Sequence, residues 1–273
     1  MGKFIRLFKT EEDYQREKES LPTPCVSWVE NGKVYYKPYI MGQIAFADAN
    51  VKSILLDNFD YNGDGVITEE EALRVNTFGT IFKEKSNIDT FNEGEYFKNI
   101  TNLDHAFYGS SLSSIKLKSE YKGGIDCINM LRRMNSLTSA KVILKATRLS
   151  GAFADNPVLK SLDLSGIDVS SCDNFNSFTS SDKKLSNMII DGWNLNTGII
   201  NQSQFFLLPG VGSDYSNITI SAKGCSDTTI AFIQNMVKKN QSGYWKTINI
   251  IGDTKTYTWA GGGTYRWDSI AGE

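Results

Sequence analysis

The chain has little of what most catalytic or metal-centred proteins rely on. It holds one histidine in 273 residues, four cysteines and five prolines. The single histidine, His105 in NLDHAFYG, is the sole candidate for any histidine-dependent triad, and no GxSxG-type nucleophile turn accompanies it. A lone histidine beside apolar residues reads as structural. Cys25, Cys127, Cys172 and Cys225 form no CxxC pair, which excludes a zinc site and a disulfide scaffold. They read as reduced, buried thiols acting as small apolar groups. Basic excess is also lacking. Lys and Arg total 29 against 31 Asp and Glu, with no basic tail, so nucleic acid is not an expected partner. Apolar runs such as SILL and NMII are too short for a membrane span. The opening MGKFIRLFKTEED has no apolar run ahead of a small-residue cleavage site, so no secretory signal is expected. The chain is expected to stay in its cell or to leave by lysis.

What is present falls into four stretches, an N-terminal unit over 1–40, a helix–loop–helix over 41–86, a solenoid over 87–253 and a cap over 254–273. In the first, KFIRLF (3–8) predicts a short strand. TEEDYQREKES (10–20) predicts a helix, capped by Thr10 and with acids in its first turn. CVSWVENGKVYYK (25–37) predicts a hairpin turning at Asn31-Gly32. Together they make a small β-α-β-β unit suited to docking or anchoring.

The second stretch holds the most specific run, FDYNGDGVITEEEA (59–72). It fits D-x-[DN]-x-[DN]-G-x₅-E, the loop of an EF-hand. Asp60, Asn62 and Asp64 supply side-chain oxygens at positions 1, 3 and 5. Gly65 makes the sharp turn, Val66 offers its carbonyl, Thr68 acts through water, and Glu71 supplies two oxygens. Hard oxygens in that number point to Ca²⁺. Val51, Ile54, Leu55 and Phe59 give the preceding segment a helical apolar face. Sensor loops work in pairs that open onto a partner. No second copy follows here, so the expected role is a structural staple.

The third stretch repeats. LSSIKL at 112, LTSAKV at 137, LKSLDL at 159, LSNMII at 185, YSNITI at 215 and WKTINI at 245 each carry apolar residues at positions 1, 4 and 6. IDTFNE at 88 is a degenerate copy with Glu93 in the third slot. A period of roughly 20–29 residues with L-x-x-L-x-L is the leucine-rich signature. Such strands bury their apolar edges by stacking on their neighbours. The period is too irregular for a strict β-helix. Between strands lie segments that return as helices or irregular loops, and GIDCINMLRRMN (124–135) and TTIAFIQNMVKKN (228–240) have helical spacing. The tail TKTYTWAGGGTYRWDS (254–269) predicts a hairpin turning at Gly261–Gly263, with Trp259, Tyr265 and Trp267 closing the open end. The expected class is therefore α+β: the N-terminal unit, the EF-hand-like region, an irregular solenoid and a β-hairpin cap.

Alternation places positions 3, 5 and 7 of each strand on the outer face. That face is polar. Lys116, Lys141, Asp163, Asn187, Asp191, Asn217, Thr219 and Asn249 are the candidate binding residues. Asp163 and Asp191 are also the one carboxylate pair on this face that a glycosidase mechanism could use.

LKSLDLSGIDVSSCDNFNSF (159–178) resembles the BspA-like leucine-rich repeats of bacterial surface proteins and of phages of gut Bacteroides-type bacteria. Residues 44–109 resemble the EF-hand-like region that often precedes such repeats. The opening 36 residues or so are similar to amino-terminal modules of virion and prophage proteins of the same bacteria. The chain departs from the repeat consensus at the ninth residue of each repeat, where Glu120, Lys145, Ile167, Trp193 and Lys223 replace Asn or Cys, so the usual polar ladder is not expected. The resemblance implies adhesion or structural attachment rather than an enzyme. It points to a virion fibre or decoration protein, homo-oligomeric and joined to other virion proteins through residues 1–40. Its ligand would be a host-surface glycan or protein. A bacterial cell-surface adhesin is the alternative, and a solenoid polysaccharide depolymerase comes third.

Overall fold

The computed structural model describes the backbone of residues 7–8, 25–30 and 33–38, then residues 42–200, 217–239, 247–260 and 266–273. Three strands, β1 (Leu7–Phe8), β2 (Cys25–Glu30) and β3 (Lys33–Pro38), form an antiparallel sheet of order β1-β3-β2. Glu30 pairs with Lys33, as a two-residue hairpin requires. The expected helix over 10–20 and the Asn31-Gly32 turn lie outside the described residues, as does the anchoring role expected of this unit.

A helix–loop–helix follows. Asp48 caps α1 (Ala49–Phe59) by accepting from the amides of Asn50 and Val51. Thr68 and Glu71 form a capping box on the short α2 (Glu69–Arg74). Asp48 also accepts from the amides of Asp89 and Thr90, and Asn50 donates to the carbonyl of Asn87. The first helix is thereby tied to the first strand of the main sheet.

That sheet is a mixed, solenoid-like arrangement. β4 (Thr90–Phe91), β5 (Ser114–Lys118), β7 (Ser139–Arg148), β8 (Ser161–Asp168), β9 (Asn187–Ile189), β10 (Ile218–Ser221) and β11 (Thr247–Ile251) run parallel in that order. The short β6 (Ile125–Asp126) pairs with the far half of β7. β12 (Thr256–Ala260) and β13 (Arg266–Trp267) close the row antiparallel, with Trp259 opposite Trp267. Both tryptophans are buried, as the expected cap requires; Gly261–Gly263 and Tyr265 lie outside the described residues.

The described residues at positions 1, 4 and 6 of the repeats point inward. Leu112, Ile115 and Leu117, then Leu137, Ala140 and Val142, then Leu159, Leu162 and Leu164 are all buried. The alignment slips once. Asn187 pairs with Thr219 rather than Asn217, a shift of two that keeps every residue on its own face. A second irregularity lies between β7 and β8, where Gly166 sits opposite Ile143. A Cβ on Gly166 would come within 2.5 Å of the Ile143 side chain, so only glycine fits.

On the return side of each coil the irregular alternative prevails over the helical one. Residues 124–135 have helical spacing but form β6 followed by a run of turns. The same turn run recurs after Asn102, Asp126, Arg148 and Asn174, which stack in register, with Thr77 beginning the ladder. The third residue after each of the four adopts a left-handed conformation: His105, Asn129, Gly151 and Ser177 have φ of 50–60°. So does the seventh: Gly109, Arg133, Asp155 and Ser181. Alternate amides then go to different partners. Leu103, His105, Phe107 and Gly109 donate to the next coil at Asp126, Ile128, Met130 and Arg132, while Ala106, Tyr108 and Ser110 bond back three residues. The conformation thus repeats every four residues. That buries residues 127, 130, 131 and 134 just as a helix of period 3.6 would, so apolar spacing alone cannot separate the two.

By contrast α3 (Asp227–Lys239) is the helix its spacing predicts, capped by Ser226. The buried Gln234 ties it to the chain end by donating to Ser269 and accepting from the amide of Ala271.

One apolar core runs from Ile44 to Ala271. Its first part is a phenylalanine cluster in which Phe78 lies 5.1–5.7 Å from Phe82, Phe91, Phe97 and Phe107. Phe59 joins the cluster from α1. A second group, Phe153, Phe175, Phe178 and Trp193, fills the middle coils.

Candidate functional site

The 60–71 loop turns its oxygens onto its own backbone. Asp60 accepts from the amides of Gly63, Asp64 and Gly65. Asn62 accepts from Asp64, and Asp64 from Val66. Glu71, only 4% exposed, accepts from the amide of Tyr61 through one oxygen and from the amide and hydroxyl of Thr68 through the other. No cation pairs with Asp60, Asp64 or Glu71 among the described residues. Among those residues, too, no three Asp, Glu, His or Cys side chains draw together around one point. The donors are hard oxygens of the right kind for a divalent cation, and the loop's shape is held by its amides.

The structure also supplies what this unpaired loop lacks. Ile44 donates to the carbonyl of Ile67 at 2.9 Å, and Glu69 donates to Gly42 at 2.8 Å, with Gln43 bridging Thr68 antiparallel. Residues 42–44 therefore brace the loop beside Ile67 by backbone pairing. No sequence pattern marked them.

The expected binding residues share one sheet without forming one cluster. Lys116, Lys141 and Asp163 stand side by side on β5, β7 and β8. Lys141 pairs with Asp163 at 2.8 Å, and Ser165 donates to the same carboxylate. Partial burial alone would raise Asp163, yet these partners hold it below the usual carboxylate range. Opposite Asp163 on β9 is Ile189, not Asp191. Asp191 lies past the end of β9, accepting from the Ser221 hydroxyl and the Lys223 amide. Both acids are thus engaged locally. Asn187, Thr219 and Asn249 lie in one row across β9, β10 and β11, while exposed Asn217 precedes β10.

The turn side carries its own polar groups. Asp104 lies 2.5 Å from His105 Nδ1, and Asn129 is 3.1 Å from Nε2. A proton on Nδ1 satisfies both contacts. Arg132 then bridges Asn129 and Asp155. This relay joins three coils. Inside it, Asn156 is fully buried. It accepts from the amide of Met134, donates to Leu131 and Phe153, and its own amide donates to Asp182. A short buried polar ladder therefore does exist, contrary to expectation. It sits three residues before the repeat start (Asn156 before Leu159, Asp182 before Leu185), not at the ninth residue of the repeat. Burial, with Asp155 nearby, pushes the Asp182 carboxyl well above the usual range. Burial likewise raises the thiols: Cys127 strongly, Cys172 to about 12 and Cys225 to about 11; Cys127 and Cys172 are buried as expected, whereas Cys225 is only half-buried. Cys25 lies on β2, whose side chains are outside the described residues.

No helix among the described residues is long and apolar enough to cross a membrane. Comparisons with protein families, with curated proteins and with solved structures return no match for this chain.

Proposed function

We propose that the chain is a non-enzymatic attachment protein, a fibre or decoration component of a phage virion, that presents its sheet face to a host-surface glycan or protein. The reading takes an α+β molecule in which residues 1–40 join other virion proteins, or further copies of the chain, and an EF-hand-like loop braces the start of the solenoid. The carrying observation is how the polar groups are used. Asp163 and Asp191 are engaged by Lys141, Ser165, Ser221 and Lys223, and they are not opposite one another, which disfavours paired-carboxylate chemistry. What the solenoid offers instead is a long polar sheet surface on a continuous core. Mass spectrometry of purified phage particles from lysates tests this. The chain is expected among the particle proteins, and the purified protein is expected to leave polysaccharides uncleaved. Recovery solely from the bacterial outer-surface fraction would replace the reading with the cell-surface adhesin.

In the same proposal Ca²⁺ is held by Asp60, Asn62, Asp64, Glu71 and the Val66 carbonyl, with Thr68 acting through water. The ion supplies charge neutralisation and rigidity, not chemistry. Calcium at a hundred times its dissociation constant is expected to add about 2.7 kcal/mol of stability without changing mass. Glu71→Gln should abolish that gain. A calcium-dependent change of mass in light scattering would refute the staple.

A further inference from the structure

One row of outward side chains crosses eight neighbouring strands of the sheet. Strand register aligns Thr90, Ser114, Ser139, Ser161, Asn187, Thr219, Asn249 and Thr258, one from each of eight neighbouring strands. Every one is uncharged and capable of both donating and accepting hydrogen bonds. None is buried. Neighbouring strands place these groups about 4.8 Å apart.

The row beside it shows what such hydroxyls do when they serve the fold. Ser113, Thr138 and Ser186 each donate to the backbone carbonyl of the preceding coil, at Asp89, Ser113 and Lys160. Their hydrogen-bonding capacity is used in stacking. In the outward row, the side chains of Thr90, Ser114, Ser139 and Thr219 have no protein partner among the described residues. Two contacts within the row, Asn187 to Ser161 at 3.3 Å and Thr258 to Asn249 at 3.1 Å, hold those side chains along it. A row of this composition suits neither an anion nor an apolar peptide. Its complement is a chain that itself carries hydroxyls at short, regular intervals.

We infer that this row is the binding lane for a neutral glycan, laid across the strands along the solenoid. The inference rests on the attachment reading and names the ligand class for that surface. Sugar hydroxyls would exchange hydrogen bonds with Ser114, Ser139, Thr219 and their neighbours. The adjacent Lys116 and the Lys141–Asp163 pair would border the lane rather than carry the affinity.

Affinity electrophoresis of the full chain tests it, in gels containing dextran, mannan or starch beside gels containing alginate or heparin. Retarded migration is expected in at least one neutral gel, with retardation reduced at least tenfold by Ser139→Glu combined with Asn187→Glu. Both positions are exposed, so the melting temperature should hold. Lys183→Ala, exposed and outside the row, should leave neutral retardation within twofold of the parent. Migration unaltered in every neutral gel overturns the inference, as does retardation confined to the acidic gels or abolished by Lys183→Ala. Adhesion of the parent chain to host cells, unchanged in the double variant, would leave attachment standing and remove the lane. Failure of the parent to adhere at all would remove the attachment reading itself.

Discussion

The two flanks of each coil use the same kinds of residue for different ends. On the turn flank, polar groups face one another or the core. Asn156 joins three coils, and Asp104, His105, Asn129, Arg132 and Asp155 form a chain of contacts. On the strand flank, the side chains of Ser114, Ser139 and Thr219 make no hydrogen bond to protein among the described residues. On the turn flank side chains tie the coils together; on the strand flank the backbone ladder and the row of Ser113, Thr138 and Ser186 do so, and the outward row keeps unengaged polar groups. That contrast teaches where to look for ligand: not where polar residues are densest, but where their bonding capacity is unused.

The sharpest way to break the comparison is to truncate one asparagine on each flank. Asn156→Ala would leave the Met134 amide and the Leu131 and Phe153 carbonyls without their buried partner. It should cost on the order of 3 kcal/mol in denaturant unfolding, because each abandoned buried group costs about 1–3 kcal/mol. Asn187→Ala on the strand flank should stay within about 0.5 kcal/mol. Equal losses would erase the distinction.

A smaller effect concerns Asp182. One of its oxygens accepts from Asn156 and the other has no partner. Its folded-state pKa is raised by burial, so its contribution favours folding below the unfolded value and is lost as pH rises through the folded one. Asp182→Asn keeps an acceptor for the Asn156 amide and removes the titration. The variant should therefore gain on the parent as pH climbs from 4 to 7, by on the order of 1 kcal/mol at the end. Asp48 and Asp163 act in the opposite direction, since their pKa values are depressed and their contribution fades as pH falls. A gap that narrows with rising pH would mean Asp182 is paired.

The strand flank was legible in the sequence and the turn flank was not, for one physical reason. Alternation has period 2 and belongs to strands alone, so Ile115 and Leu117, or Leu162 and Leu164, state their own structure. The turn flank's repeat of four lies close to the helical 3.6, so Cys127, Met130, Leu131 and Met134 fit either. What distinguishes them is backbone handedness, and Arg133 or Ser177 does not advertise a positive φ as glycine would. The α3 helix was legible because no left-handed residue interrupts it. In the 60–71 loop the ligand pattern was readable, while the bracing by residues 42–44 is a backbone pairing with no residue signature. The polar ladder was sought at the consensus offset and stood elsewhere, because in this chain it closes the turn run instead of following the strand.

The smallest expected effect separates the two conformations directly. At Arg133, φ 59°, glycine should be more stable than alanine by about 1 kcal/mol. In a helix alanine would win by about the same amount. Chemical denaturation of Arg133→Gly and Arg133→Ala reads the sign, and alanine winning would restore the helix.

The most direct test of the division between holding and binding measures melting temperature and neutral-polysaccharide retardation together, on Asn129→Ala from the turn flank and Asn187→Glu from the strand flank. Asn129→Ala should melt lower, by about 2–4 °C for each kcal/mol lost, and still be retarded. Asn187→Glu should melt with the parent and be retarded clearly less than it, though less affected than the double variant with Ser139→Glu. Lost retardation in Asn129→Ala at its folded temperature, or full retardation in Asn187→Glu, would contradict the division.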